Sequence, residues 1–214
     1  MKYGDPPFDL GPIDITPTEM MFWMYLPISE PGNILALVPP NLRQFDPILN
    51  AVRRDNEERW FESYVYLTVK TLWVTEEYIG NRPGWHSDGF GTDDLNYIWS
   101  DRAPTDFLII PGGITLSKDC DESMRQMRVY GLRPEMYGGG IQTYPDKHLL
   151  RLDETVVHRS PTMFEPGMRT FVKVSVSKDR YDLLGNSINH DLPSTRWPLV
   201  DRKLERNHPQ SRFS

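Results

Sequence analysis

Nineteen prolines are scattered through the 214 residues, about 9% of the chain against a usual ~5%. Proline lacks the amide proton that a helix interior or a central strand requires, so this frequency disfavours a helical bundle and favours many short strands joined by turns. Aromatic residues make up 12% of the chain and suit the pleated surface of a sheet. With 38% hydrophobic and 25% charged residues, the chain forms a core and is not disordered as a whole. Its length suits one domain with a sizeable interior and leaves too little for two domains and a linker.

Lys and Arg number 24 against 30 Asp and Glu, a net charge of -6. No overall basic field exists to hold nucleic acid or anionic lipid, although a local basic groove is not excluded. The single cysteine, Cys120, forms no internal disulfide and has no thiolate partner for a zinc site, which favours a reducing compartment. The N-terminus has no basic stretch followed by an apolar one, and the apolar run Met20 to Leu26 is far too short to span a bilayer. A cytoplasmic, non-membrane protein is expected.

Residues 1 to about 38 read as an extended arm with one or two strands. From Pro39 to about Glu62, Leu42, Phe45, Leu49 and Val52 recur at spacings of three and four, predicting an amphipathic helix. Tyr64 to Thr75 (YVYLTVKTLWVT) is dense in β-branched and aromatic residues and predicts a long strand. Shorter strands are expected at Leu95 to Ser100, Asp106 to Ile110, Ile114 to Ser117, His148 to Leu152, Thr155 to His158 and Thr170 to Ser177. Between them Asp119 to Leu132 predicts a short helix with Met124, Met127 and Leu132 on one face, and Tyr137 to Gly140 predicts a turn. The chain thus divides into an arm and supporting helix (1–63), a strand-rich core (64–177) and a C-terminal extension (178–214) ending in a polar, locally basic tail. An α+β or mainly β barrel or sandwich is the expected class.

The chemistry concentrates in PGWHSDGFG. On a strand, residues two apart point to one face, so His86 and Asp88 can meet a single ion while Ser87 points away. Five histidines and 30 acidic residues supply about 0.7 such triplets by chance, so a third ligand is required. His158 ends the apolar run RLDETVVH and is followed by a proline-containing turn, after which Arg169 opens the next strand. His148 also has an arginine eleven residues on, Arg159, but no turn separates them. His190 and His208 sit in turn-like or tail contexts and read as surface residues.

His86, Asp88, His158 and Arg169 together resemble the pattern of the Fe(II)- and 2-oxoglutarate-dependent oxygenases: His-x-Asp/Glu, a distal His, then an Arg or Lys about ten residues later. The resemblance covers residues 64 to 177 and implies a mainly β (α+β) double-stranded β-helix, jelly-roll or cupin-like, with the N-terminal helix buttressing it. It implies that His86, Asp88 and His158 hold Fe(II) and that Arg169 binds the far carboxylate of the co-substrate 2-oxoglutarate. O₂ would then hydroxylate a substrate C–H bond, with succinate and CO₂ as co-products. Two imidazoles and a carboxylate on one face of a ferrous ion leave open positions for such ligands, and a guanidinium offers a permanently charged fork to a carboxylate. Many members carry Ser or Thr two positions after the arginine, where this chain has Phe171, so a second anchor is required. Tyr78 and Tyr97 are the candidate phenol donors.

Trp85 and Trp99 flank the motif and are candidates for a pocket wall or for core packing. Gly89 to Asp106, with two glycines and Asp93, Asp94 and Asp101, is expected to form a mobile, acidic rim. That charge favours a small molecule or an amino-acid side chain as substrate over DNA or RNA, although Arg125, Arg128 and Arg133, and Arg202, Lys203, Arg206 and Arg212 in the tail, keep a nucleobase substrate in view. The alternative from another class is a cupin-like metal protein, isomerase, lyase or binding module, that uses the same ligands with no co-substrate carboxylate. The oligomeric state is left open.

Overall fold

The computed structural model describes residues 1–201; the basic tail residues and His208 lie outside that range. The elements run β1 (Phe8–Pro12), β2 (Met21–Ser29), a 3-10 turn (Pro40–Phe45), α1 (Asp46–Asp55), α2 (Glu57–Phe61), β3 (Tyr64–Val74), β4 (His86–Ser87), β5 (Leu95–Ser100), β6 (Asp106–Ile109), α3 (Cys120–Leu132), β7 (Gly140–Thr143), β8 (His148–Leu152), β9 (Val157–Arg159) and β10 (Gly167–Ser177). The protein is mainly β, with two antiparallel sheets and few helices. The large sheet has the order β1-β8-β5-β10-β3-β2 and the small one β4-β9-β6-β7.

From β3 onward the chain passes repeatedly from one sheet to the other, leaving the large sheet at β3, β5 and β8 and returning at β5, β8 and β10. The centre of the large sheet is the β3/β10 pair, eleven residues each, in register from Gly167 opposite Val74 to Ser177 opposite Tyr64. Both strands are buried along most of their length, which explains why their sequences read as nearly continuous β-branched and aromatic runs.

Alternation divides these strands into two faces. Val65, Leu67 and Val69 of β3, Val172, Val174 and Val176 of β10, and Tyr97 and Trp99 of β5 pack into one cluster with Leu49 and Val52 of α1 and Trp60 of α2. The other face carries Thr68 and Lys70, then Phe171, Lys173 and Ser175, then Asn96 and Ile98. It looks toward the small sheet, and Ile98, Leu150 and Leu152 close against Phe107 and Val156 there. Beyond the small sheet, Leu108 and Val157 pack with Trp85 and with Met127 of α3.

The expected helix before β3 exists but is divided. Asn56, at φ -151° and ψ 74°, ends α1, and its side chain caps α2 by accepting from the Arg59 amide at 3.2 Å. Asp119 caps α3 in the same way through the Glu122 amide at 2.8 Å. Met127 is the buried anchor of α3, whereas Leu132, expected on the same face, is 72% exposed. Residues 114 to 117 are not a strand: Ile114 makes only an isolated bridge to Tyr3. Strand β7 (GIQT) escaped the sequence reading because an exposed edge strand has no apolar alternation to betray it. Among the described residues no helix is long and apolar enough to cross a membrane.

Candidate metal centre

Strand β4 is only two residues long, and its register is what builds the site: His86 lies directly opposite His158 of β9, and His158 opposite Phe107 of β6. Cross-strand partners point to the same side of a sheet, so both imidazoles face the large sheet, their ring centroids 4.5 Å apart. Asp88 follows two residues after His86 and joins them. One ligand atom from each of His86, Asp88 and His158 lies within 4.8 Å of the others, as the sequence spacing predicted.

The backbone around the motif enforces this convergence. Gly89 has φ +70°, and a Cβ there would meet Thr92 Oγ1 at 3.0 Å, so glycine permits the tight turn that Thr92 closes through its amide and hydroxyl, each donating to the Gly89 carbonyl at 2.8 Å. Gly131 of α3 lies against the Trp85 indole, where a Cβ would fall 2.0 Å from Nε1. Trp85, one residue before His86, therefore serves to pin the strand from behind and does not line the site.

Each imidazole is oriented by a carbonyl. His86 Nδ1 lies 2.8 Å from the Gly84 oxygen and His158 Nδ1 lies 3.3 Å from that of Val156. A carbonyl only accepts, so each Nδ1 carries a proton and each Nε2 is turned toward the cluster, the orientation found in metal-ligating histidines. His158 Nε2 is 3.5 Å from Asp88 Oδ2. Burial, followed by the neighbouring His158, pulls the His86 pKa down to about 4, which keeps that ring neutral. Two imidazoles with their Nε2 atoms turned inward and one carboxylate, converging on one point, are a donor set that fits a divalent first-row metal.

A residue the sequence reading passed over completes the cluster. Lys173 of β10 reaches across from the large sheet and donates to Asp88 Oδ2 at 2.6 Å. Only 6% exposed, it is held above its ordinary pKa by Asp88 against the opposing effect of burial. Burial alone would raise the Asp88 pKa, yet Lys173 and then His158 hold it well below the carboxylate range. The signal was present in TFVKVSVS as a lysine on the polar phase of a strand otherwise rich in valine. Tyr25 was also missed. It has φ +49° where β2 shifts register between Trp23 and Leu26, and its ring lies 5.7 Å from the Lys173 ammonium.

The centre opens into a cavity of about 1550 Å³, with His86, Asp88, His158, Lys173, Lys70, Phe171, Tyr25, Met124 and Met127 on its wall. Arg169 shares the interior face of β10 with Phe171 and Lys173 but does not line this cavity. It is 2% exposed, its Nε donates to the carbonyls of Arg102 and Ala103 at 3.1 and 3.2 Å, and its guanidinium sits 5.1 Å from the Phe171 ring centroid. Its Nη2 is buried with no hydrogen-bond partner among the described residues. Burial lowers its pKa to about 10, still charged at neutral pH.

The two tyrosines expected to assist are elsewhere. Tyr97 belongs to the opposite phase of β5, where its hydroxyl donates to Asp55 at 2.8 Å beneath α1; burial and then Asp55 raise its pKa. Tyr78 is 69% exposed in the loop after β3. Trp99 likewise packs in the outer core and donates to the Ile13 carbonyl. Of the three expected rim acids only Asp93 lines the cavity. Asp93 pairs with Arg59 at 2.8 Å and Lys178 at 3.9 Å, Asp94 accepts from the buried Tyr181 hydroxyl, and Asp101 accepts from the Thr170 amide. His148 pairs with Asp9, and His190 is exposed near Arg196; neither joins the cluster. Comparison with protein-family models finds no match to the chain, and comparison with curated proteins finds none either.

Proposed function

We propose that the chain is an Fe(II)- and 2-oxoglutarate-dependent oxygenase on a double-stranded β-helix, acting on a small molecule or an amino-acid side chain. The carrying observation is the convergence of His86, Asp88 and His158 at the wall of a single cavity. The interleaving of β3, β10, β5 and β8 with β4, β9, β6 and β7 supports the fold reading, since a double-stranded β-helix alternates strands between two sheets in this order. His86, Asp88 and His158 would hold the iron, which with 2-oxoglutarate and O₂ supplies oxidative decarboxylation coupled to C–H hydroxylation. The chain's own groups bind and orient. The Gly84 and Val156 carbonyls turn both Nε2 atoms toward the cluster, and Phe171 and Ile98 give the cavity an apolar wall. Arg169 carries a buried Nη2 with no partner among the described residues, which a co-substrate carboxylate reaching past Phe171 would satisfy.

A specific observation favours a second reading, a metal protein without oxidation: Phe171, not Arg169, lines the cavity. Anaerobic titration with Fe(II) and 2-oxoglutarate separates the two. The oxygenase reading expects a weak visible charge-transfer band in the wild type. It also expects Arg169→Leu to weaken 2-oxoglutarate binding by about tenfold or more, the worth of a lost charged hydrogen bond, with Fe(II) affinity nearly unchanged. Metal binding without the band supports the non-oxidative protein, whereas the band with indifference to Arg169→Leu moves the carboxylate anchor to another residue.

A further inference from the structure

The contact between Lys173 and Asp88 is not explained by the metal reading and adds to it. Asp88 Oδ2 is the oxygen nearest His158 Nε2, at 3.5 Å, and it is also the oxygen that Lys173 holds at 2.6 Å. A divalent ion held by His158 and Asp88 through this oxygen would compete with the ammonium for its negative charge. Lys173 is 6% exposed, so little water is present to screen an ammonium from a divalent ion beside it. The lysine lines the cavity with Lys70 and lies near the face of Tyr25, which leaves its ammonium somewhere to go.

We infer that Lys173 is the built-in counter-cation of the centre: it neutralises Asp88 when no metal is present, and a divalent ion that takes Oδ2 frees its ammonium to pair with the carboxylate of a ligand in the cavity. Metal and carboxylate ligand then bind cooperatively, because each favours the same lysine position. The inference rests on the metal reading above and assigns the ligand's charge to a residue the family pattern does not include. Lys173 here is a positioning residue, and its role is read by binding alone.

The test is calorimetric titration with Mn(II), with and without saturating 2-oxoglutarate as the carboxylate probe, on wild type, Lys173→Met and Lys173→Arg. Without the carboxylate, Lys173→Met should bind Mn(II) about tenfold more tightly than wild type, since no ammonium competes. Adding 2-oxoglutarate should raise the Mn(II) affinity of wild type by a factor about ten times larger than for Lys173→Met. Lys173→Arg retains the charge, so it serves where Lys173→Met fails to fold with Asp88 unpaired. Its guanidinium can hold both carboxylate oxygens, and it should bind Mn(II) no more tightly than wild type. Weaker or unchanged Mn(II) binding by Lys173→Met, or tighter binding by Lys173→Arg, overturns the inference and makes Lys173 a fixed support for Asp88. Absence of Mn(II) binding in all three proteins overturns the metal reading itself, a different result.

Discussion

Strand β10 has two faces that work in opposite ways. Val172, Val174 and Val176 lie in the outer core against β3, β5 and α1, where any apolar residue of similar volume serves. Phe171, Lys173 and Ser175, the interior phase, lie opposite Lys70, Thr68 and Tyr66 of β3, and there the identity of each polar group matters. The outer face carries the larger apolar cluster, whereas the interior face carries charge that Asp88 and Lys173 hold as a buried pair. The largest expected effect breaks the first half of this contrast. Val174→Asp buries an unpaired carboxylate at a fully buried position and should cost more than about 4 kcal/mol, seen as loss of the cooperative thermal transition. Retention of a native-like transition would show that the outer face is not the core.

The next effect sharpens the contrast on β5. Tyr97→Phe removes the hydroxyl that donates to Asp55 at 2.8 Å, while Arg151 still pairs with the same carboxylate oxygen at 2.8 Å. A loss of about 1 to 2 kcal/mol is expected, less than a lone hydrogen bond to a charged group would give because Arg151 remains. Metal and 2-oxoglutarate affinities should not change, since Tyr97 points away from the cavity. A change in 2-oxoglutarate affinity with stability intact would instead return Tyr97 to the site.

The same two faces explain what was legible in the sequence. The strand pair was readable from its dense β-branched and aromatic runs, the helices from spacings of three and four, and His86 with Asp88 from the local His-x-Asp spacing, whereas His158 joins them only through the β4/β9 register. The phase of an aromatic is harder to read. Tyr97 and Ile98 are neighbours in an unbroken run, and only the register Tyr97 opposite Val174 and Ile98 opposite Lys173 decides which faces the cavity. Lys173 was visible as a polar-phase residue, but its role and that of Tyr25 were not legible for a related reason. Their roles depend on a contact between sheets and on a register shift in β2, neither of which a single strand encodes. The acids of the rim were legible as residues but not in their partners, because Arg59, Tyr181 and the Thr170 amide reach them from distant parts of the chain.

The smallest effect concerns the other interior lysine. Lys70 donates to the Gly80 carbonyl at 2.8 Å and to Asn81 Oδ1 at 3.3 Å. Burial, then the charges of Lys173 and Arg169, lower its pKa to about 8, against an ordinary value near 10.4 in an unfolded chain. Between these values the unfolded state binds a proton that the folded state does not, so this residue's contribution to stability rises with pH through that window and is lost as pH falls below 8. At neutral pH the charged lysine therefore strains the interior face. Lys70→Met removes that strain together with two hydrogen bonds, leaving a net change within about 1 kcal/mol at pH 7. The sharper readout is the slope: from pH 8 to pH 10 the wild type should gain about 1 to 2 kcal/mol relative to Lys70→Met, and comparing the two proteins cancels the ionisation of the tyrosines. Parallel stability curves across that range would mean that Lys70 keeps its proton as it does in water, and that the interior face is better hydrated than its burial implies.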